Sequence, residues 1–328
     1  MTAASPRPRR AADAIADAPA KTRARPQTGA APAAPRRIDD AALARWPLPA
    51  PEGTADKETR GHVLVVAGSH EIPGAALLAA VAALRVGAGK LTIAAPERVA
   101  LGLALAIPEA RVIALAENKG GGLLARGRAA LESVAAKAGA VVLGPGMLDE
   151  TRSVAFVRGL LPLLREAVVV LDAYAMSVAR DGPFDQPVVL TPHPGEMAHL
   201  TGLTKEAVCD DPLGTAREAA ARWNACVALK GAETFIVQPG EGAWRFDGGT
   251  PGLATSGSGD TLAGLIGGLA ARGLSPLQAS AWGVLLHARA GHALGRRHGP
   301  LGYLARELSA EVPAIVHAIG KKHAARSG

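Results

Sequence analysis

The sequence predicts an α/β protein: a doubly wound, mostly parallel sheet flanked by helices. Three observations carry that prediction. Short, uniformly apolar runs recur, among them H-V-L-V-V-A at 62–67, A-V-V-L at 140–143 and A-V-V-V-L at 167–171. A run that is apolar at every position fits a strand buried on both faces. Ala- and Leu-rich segments of helical length, such as 74–86, lie between such runs and supply the crossovers that parallel strands need. Hydrophobic residues make up 48% of the 328, ample for a core, and aromatics only 3%, so that core is aliphatic.

Taken in order, residues 1–40 are rich in Ala, Pro and Arg with almost no large apolar residue. Such a segment buries too little surface to offset ordering entropy, so it reads as a disordered extension rather than a targeting signal. A single folded domain is expected over 41–320 and a basic flexible tail over 321–328. Further strands are expected at 90–95, 187–190, 226–230 and 234–238, and closing helices at about 258–272, 275–295 and 301–319. No internal repeat is visible.

The net charge of +7 does not point to nucleic acid. Residues 1–40 carry eight Lys/Arg against four Asp/Glu, residues 321–328 carry three basic residues and no acid, and 41–320 balance at 25 against 25. A neutral body with few aromatics is a poor platform for phosphates and bases. No apolar stretch reaches the roughly 18–20 residues that span a bilayer. Cys209 and Cys226 have neither metal nor disulfide spacing and read as free thiols in a reducing cytoplasm.

The chemistry concentrates in T-P-G-L-A-T-S-G-S-G-D-T-L-A-G at 250–264. A loop of small residues entering a helix leaves backbone N–H groups free, and with the positive end of the helix dipole they form an anion site, here Gly257, Ser258 and Gly259. Asp260 would repel a phosphate if the loop only held one. It makes sense as a base that takes the proton from a hydroxyl about to attack phosphorus. T-P-H-P-G-E at 191–196 leaves a strand and enters a helix, placing His193 in a rigid turn suited to holding a substrate. K-G-A-E-T at 230–234 joins two strands; Lys230 and Thr234 offer a cation and a hydroxyl to a nucleotide, and an ordinary hairpin fits the same letters. G-P-G at 144–146 follows a buried strand and reads either as a backbone platform for a planar ligand or as a plain turn. G-A-G-K at 87–90 is no P-loop, because Leu91 replaces the Ser or Thr and the order is helix to strand. The remaining histidines, including His62, His70, His199 and His287, lack ligand spacing and read as structural or surface residues.

These segments, in this order, resemble the ADP/ATP-dependent NAD(P)H-hydrate dehydratase family, a branch of the ribokinase-like superfamily, from about Thr59 to about Val316. The match rests on G-H-V-L-V-V-A-G-S, P-G-A-A-L, R-V-G-A-G-K-L, G-P-G, L-D-A, L-T-P-H-P-G-E, L-K-G and G-S-G-D. The resemblance implies repair of nicotinamide dinucleotides hydrated at ring carbon 6. ADP or ATP, with Mg2+, phosphorylates the hydroxyl, and loss of phosphate restores NADH or NADPH. It makes Asp260 the base, and the Gly257, Ser258 and Gly259 amides the cradle of the transferring phosphoryl group. It gives Lys230, Gly231, Ala232, Glu233, Thr234 and Gly259 to the adenine nucleotide, and Ala75, Gly146, His193 and Asp260 to the hydrated dinucleotide. It implies no protein metal cage. It also implies a stand-alone dehydratase in the cytoplasm, free to form a homo-oligomer, with a separate NAD(P)H-hydrate epimerase as functional partner. Ser256 and Ser258 stand where the family often has Gly and Thr, Thr250 where it has Asn or Gly, and Tyr174 where a small or acidic residue is usual. Two other readings share the fold: a ribokinase-like vitamin-precursor kinase, which would release a stable phosphoester, and a nucleotide sensor without turnover.

Overall fold

The computed structural model describes residues 1, 33–49 and 57–327. The chain divides into two compact units, Met1–Ala33 and Ala34–Gly328. The first lies outside the described residues except at its ends, and the expectation of disorder over 1–40 falls mostly there.

In chain order the second unit comprises β1 Arg36–Arg37, α1 Asp40–Ala44, β2 His62–Val66, α2 Pro73–Arg85, β3 Lys90–Pro96, α3 Glu97–Ala106 and β4 Arg111–Leu115. α4 Glu132–Ala135, β5 Ala140–Leu143, α5 Glu150–Leu160, β6 Val168–Leu171, β7 Val188–Leu190, α6 Pro194–Thr201, α7 Lys205–Asp210 and α8 Pro212–Trp223 follow. β8 Cys226–Leu229, β9 Thr234–Gln238, β10 Gly242–Phe246, α9 Ser258–Ala271, α10 Pro276–His298 and α11 Ala305–Ser327 complete it. The strands form one ten-stranded sheet ordered β1-β10-β9-β8-β7-β6-β5-β2-β3-β4. β2 to β8 run parallel, whereas β9 turns back on β8 and β10 on β9.

The every-position apolar pattern has its expected cause. Successive side chains of a strand point to opposite faces. Val63, Val65, Val142 and Val170 join the core under α2, α9 and α10, while Leu64, Val66, Val141 and Val169 join the core with Phe156 of α5 and Trp223 of α8. Both faces of the sheet are therefore covered.

Helix α9 is drawn unusually close to its neighbours. A Cβ added at Gly264 would lie 2.1 Å from the Ala79 carbonyl oxygen of α2, at Gly268 2.6 Å from that of Ala83, and at Gly267 2.2 Å from Val142 of β5. Only hydrogen fits at these three contacts.

Two boundaries differ from expectation. Residues 36–40 were expected to be disordered, yet β1 pairs with β10 and Ile38 is buried at 2% exposure, its amide donating to the Arg245 carbonyl (2.8 Å). Strand pairing, the buried Ile38 and the ion pairs of Arg37 with Asp247 and of Asp40 with Arg289 together dock this stretch. Residues 321–328 were expected to be a flexible tail, but α11 runs on to Ser327, since Ala and Lys are good helix formers.

Candidate active site

Because β6, β7 and β8 run parallel, their C-terminal ends deliver Asp172, Thr191 and Lys230 to one edge of the sheet. Helix α9 presents its N-terminus to the same edge. Asp172, His193, Glu196, Lys230, Ser258, Gly259, Asp260 and His287 line one cavity of about 820 Å³. Ligands of open α/β sheets collect at this end of the strands.

Asp172 is 4% exposed and accepts a hydrogen bond from Thr191 Oγ1 at 2.7 Å. Lys230 Nζ lies 3.6 Å from Asp172 Oδ1 and 3.9 Å from Glu196 Oε2. A Cβ on Gly259 would sit 3.4 Å from that same Nζ, so the ammonium rests against the first turn of α9. Three carboxylates thus face a single lysine. Burial above all, with Asp172 and then Glu196 adding repulsion, pushes Asp260 up to about 6, while Lys230 pulls the other way. A carboxyl so tuned is ionised near neutrality yet far more basic than a solvated one, which suits a general base.

The turn entering α9 requires Gly257, whose φ is +85° and whose added Cβ would meet Leu78 Cδ1 at 2.4 Å. Amides in a helix's first turn have no intrahelical acceptor and remain free for an anion. The Ser258 amide is the exception, because it donates to the Thr255 carbonyl at 3.2 Å. This N–H closes the turn, and what Ser258 turns toward the cavity is its side chain.

His193 is the N-cap of α6. Its Nδ1 accepts from the Gly195 (3.0 Å) and Glu196 (3.2 Å) amides, and its own amide donates to Glu196 Oε2 at 2.8 Å, a reciprocal capping box. An accepting Nδ1 places the neutral ring's proton on Nε2, so the imidazole offers a donor. The cap explains how the turn is held more directly than its two prolines do.

The expected residues fall into two groups. Lys230, Gly231, Ala232 and Thr234 line the cavity with His193, Gly257, Ser258, Gly259 and Asp260. Glu233 does not; it points away to pair with Arg245 at 3.2 Å. Ala75 and Gly146 are not among its lining residues either. They pack on each other where β2 and β5 part, the point at which the winding reverses: a Cβ on Gly146 would lie 2.6 Å from Ala75 Cβ and 3.4 Å from Gly68 Cα. Gly144 ties the two groups together, since its added Cβ would fall 1.9 Å from the Asp172 carbonyl oxygen. Sequence reasoning missed Asp172, Glu196 and His287 as site residues. A carboxylate directly after an apolar strand, and a Glu three residues after a capping His, were available signals for the first two. For His287, inside α10, there was none.

Fold and site together define a doubly wound α/β protein in which a glycine-entered helix end lies beside a lysine and a carboxyl of raised basicity. A model of the NAD(P)H-hydrate dehydratase family matches residues 63–314. The chain is 49% identical over 283 residues to an ADP-dependent (S)-NAD(P)H-hydrate dehydratase of Xanthomonas campestris, covering 86% of this chain and 96% of that one. It is 39% identical to a bifunctional NAD(P)H-hydrate repair enzyme of Moorella thermoacetica, covering 86% of this chain and 56% of the relative's length. Among solved structures it superposes with a TM-score of 0.72, at 31% identity, on a Bacillus subtilis ADP/ATP-dependent NAD(P)H-hydrate dehydratase co-crystallised with ATP/Mg2+, covering 88% of this chain and 98% of that one. The chain belongs to the NAD(P)H-hydrate dehydratase family.

Proposed function

We propose that this protein is a nucleotide-dependent hydro-lyase that converts hydrated NADH or NADPH back to the functional dinucleotide. The observation that carries the reading is Asp260. It is a carboxyl raised to about 6, set in the first turn of a helix whose free amides face the same cavity as Lys230. Asp260 takes the proton from the hydroxyl on ring carbon 6 as the hydroxyl oxygen attacks the terminal phosphorus of ADP or ATP; the bond from that phosphorus to the bridging oxygen breaks, and AMP or ADP leaves. The first-turn amides and Lys230 receive the charge of the transferring phosphoryl oxygens. Hydroxide leaves poorly, phosphate leaves well. The ring nitrogen's lone pair expels it, and loss of a proton from carbon 5 restores the double bond.

The residues support the remaining assignments in the same way. Lys230, Gly231, Ala232 and Thr234 hold the adenine nucleotide, and His193 offers Nε2–H to the dinucleotide. Ala75 and Gly146 serve the dinucleotide at the switch point, continuous with the cavity through Gly144 and Asp172. Magnesium fits this donor set: Asp172 and Glu196 offer hard carboxylate oxygens, and no cage of three or more His, Cys, Asp or Glu occurs among the described residues. Bound there with nucleotide phosphates, the ion would neutralise charge on the phosphoryl group.

No helix among the described residues is long and apolar enough to cross a membrane, which agrees with a cytoplasmic setting. A homo-oligomer and a functional link to an NAD(P)H-hydrate epimerase belong to the same reading.

The test is direct. Purified protein is mixed with acid-generated NADH hydrate, magnesium, and ADP or ATP, and the near-ultraviolet absorbance of the dihydronicotinamide is followed. Nucleotide-dependent recovery with release of inorganic phosphate is expected. A stable phosphoester without recovery would assign a kinase instead.

A further inference from the structure

The buried His287 has no part in the reaction described so far. It sits in the middle of α10, yet its Nε2 lies 3.0 Å from Ser258 Oγ and 3.0 Å from the Ser258 carbonyl oxygen, at the head of α9. A carbonyl oxygen can only accept, so Nε2 carries the ring proton. Ser258 Oγ therefore faces a donor and acts as acceptor toward the ring. Its own hydrogen is left for another acceptor, and Ser258 is 4% exposed on the wall of the cavity. Because the Ser258 amide is spent on Thr255, the hydroxyl is what this residue has left to offer an anion.

We infer that His287 is a positioning residue that turns the Ser258 hydroxyl into the anion hole, where its O–H donates to the transferring phosphoryl group. Burial drives His287 down to about 4, so the ring stays neutral and the arrangement persists throughout the pH range in which Asp260 is ionised. The inference rests on the proposed phosphoryl transfer, and its test separates the two.

The first measurement needs no acceptor substrate. Binding of magnesium–ADP and of magnesium–AMP, the leaving nucleotides of ATP and of ADP, is measured by calorimetry, alone and with aluminium fluoride as a planar phosphoryl mimic, for wild type, Ser258→Ala, Ser258→Thr, His287→Ala and the Ser258→Ala/His287→Ala pair. Tighter binding with fluoride is expected for wild type. Ser258→Ala should lose much of that gain, while affinity for ADP alone stays within about twofold, and Ser258→Thr should recover it by returning a hydroxyl. Loss of one such donor is worth up to roughly 10²–10³-fold in turnover, and kcat with the hydrated dinucleotide should fall while its KM holds. His287→Ala should mimic Ser258→Ala, and the pair should be no worse than the more affected single variant, because groups acting as a unit are not additive. Ser258→Ala removes one oxygen from a helix terminus and keeps the fold readable if the histidine variant unfolds. A fluoride gain intact in Ser258→Ala, no fluoride gain in wild type, or additive losses in the pair would each overturn the inference. Fluoride effects as expected without turnover of the hydrate would leave the inference standing and remove the dehydratase reading.

Discussion

Replacing Asp260 with Asn should abolish turnover and make the protein more stable. The carboxyl is raised from 3.8 to about 6 by burial and by its carboxylate neighbours. In the window between those values the folded state binds the proton more tightly than the unfolded chain does, so stability falls as pH rises through it. Above pH 6 the full cost is in force. At about 1.36 kcal/mol per pH unit, the gap amounts to about 3 kcal/mol. Asn keeps the shape and carries no charge, so it should recover about 3 kcal/mol at pH 8 and roughly half of that at pH 5. Denaturant melts of both proteins at these two pH values measure the difference, and the hydrate assay measures the loss, expected at 10²–10⁴-fold or more. An Asn variant no more stable than wild type at pH 8, or a gain that does not shrink at pH 5, would refute the claim that Asp260 is held in its charged state at a cost.

Other outcomes follow from the same geometry. The kcat/KM of wild type should drop about tenfold per pH unit below about 6, and Lys230→Met should move that limb to higher pH, because Lys230 favours the ionised Asp260; a pH–rate profile of both proteins checks this. His193→Ala should cost about 1 kcal/mol through the lost α6 cap and weaken the dinucleotide more than the adenine nucleotide, read by melting and by separate titrations. Deleting residues 1–40 removes β1 and the buried Ile38, which contributes about 1.5–3 kcal/mol, so a fall of several degrees in Tm is expected. A chelator should stop turnover and leave Tm unchanged, given that no protein cage for a metal is seen among the described residues.

What could be read in advance was whatever is written locally. The valine runs of β2, β5 and β6 declare burial on both faces, and the Gly-Ser-Gly-Asp segment declares a helix entered through a glycine turn. Elements with mixed exposure were not legible. G-A-W-R-F of β10 leaves Arg245 half-exposed and carries no uninterrupted apolar signal. The site divides along the same line. Asp260, Lys230 and His193 stand in motifs with a chemical logic of their own, whereas His287 reaches Ser258 across 29 residues and only the packing of α10 on α9 brings them together. The bond from the Ser258 amide to the Thr255 carbonyl was likewise invisible in the letters.

The seam of Gly264, Gly267 and Gly268 has a consequence for how this protein tolerates change. None of the three is among the cavity-lining residues, yet each is pressed against a neighbouring backbone or core side chain. Adding a single methyl group there has to push the whole rod of α9, and the rod carries the turn of Ser258, Gly259 and Asp260 at its head. A survey of tolerated substitutions should score these glycines as sternly as the Asp260 carboxyl. The two kinds of intolerance part in the test tube: loss of the carboxyl leaves a folded, inert protein, whereas a crowded glycine displaces the anion hole and the core beneath it together. Variation in this chain is thus restrained by a mechanical axle as much as by its chemistry.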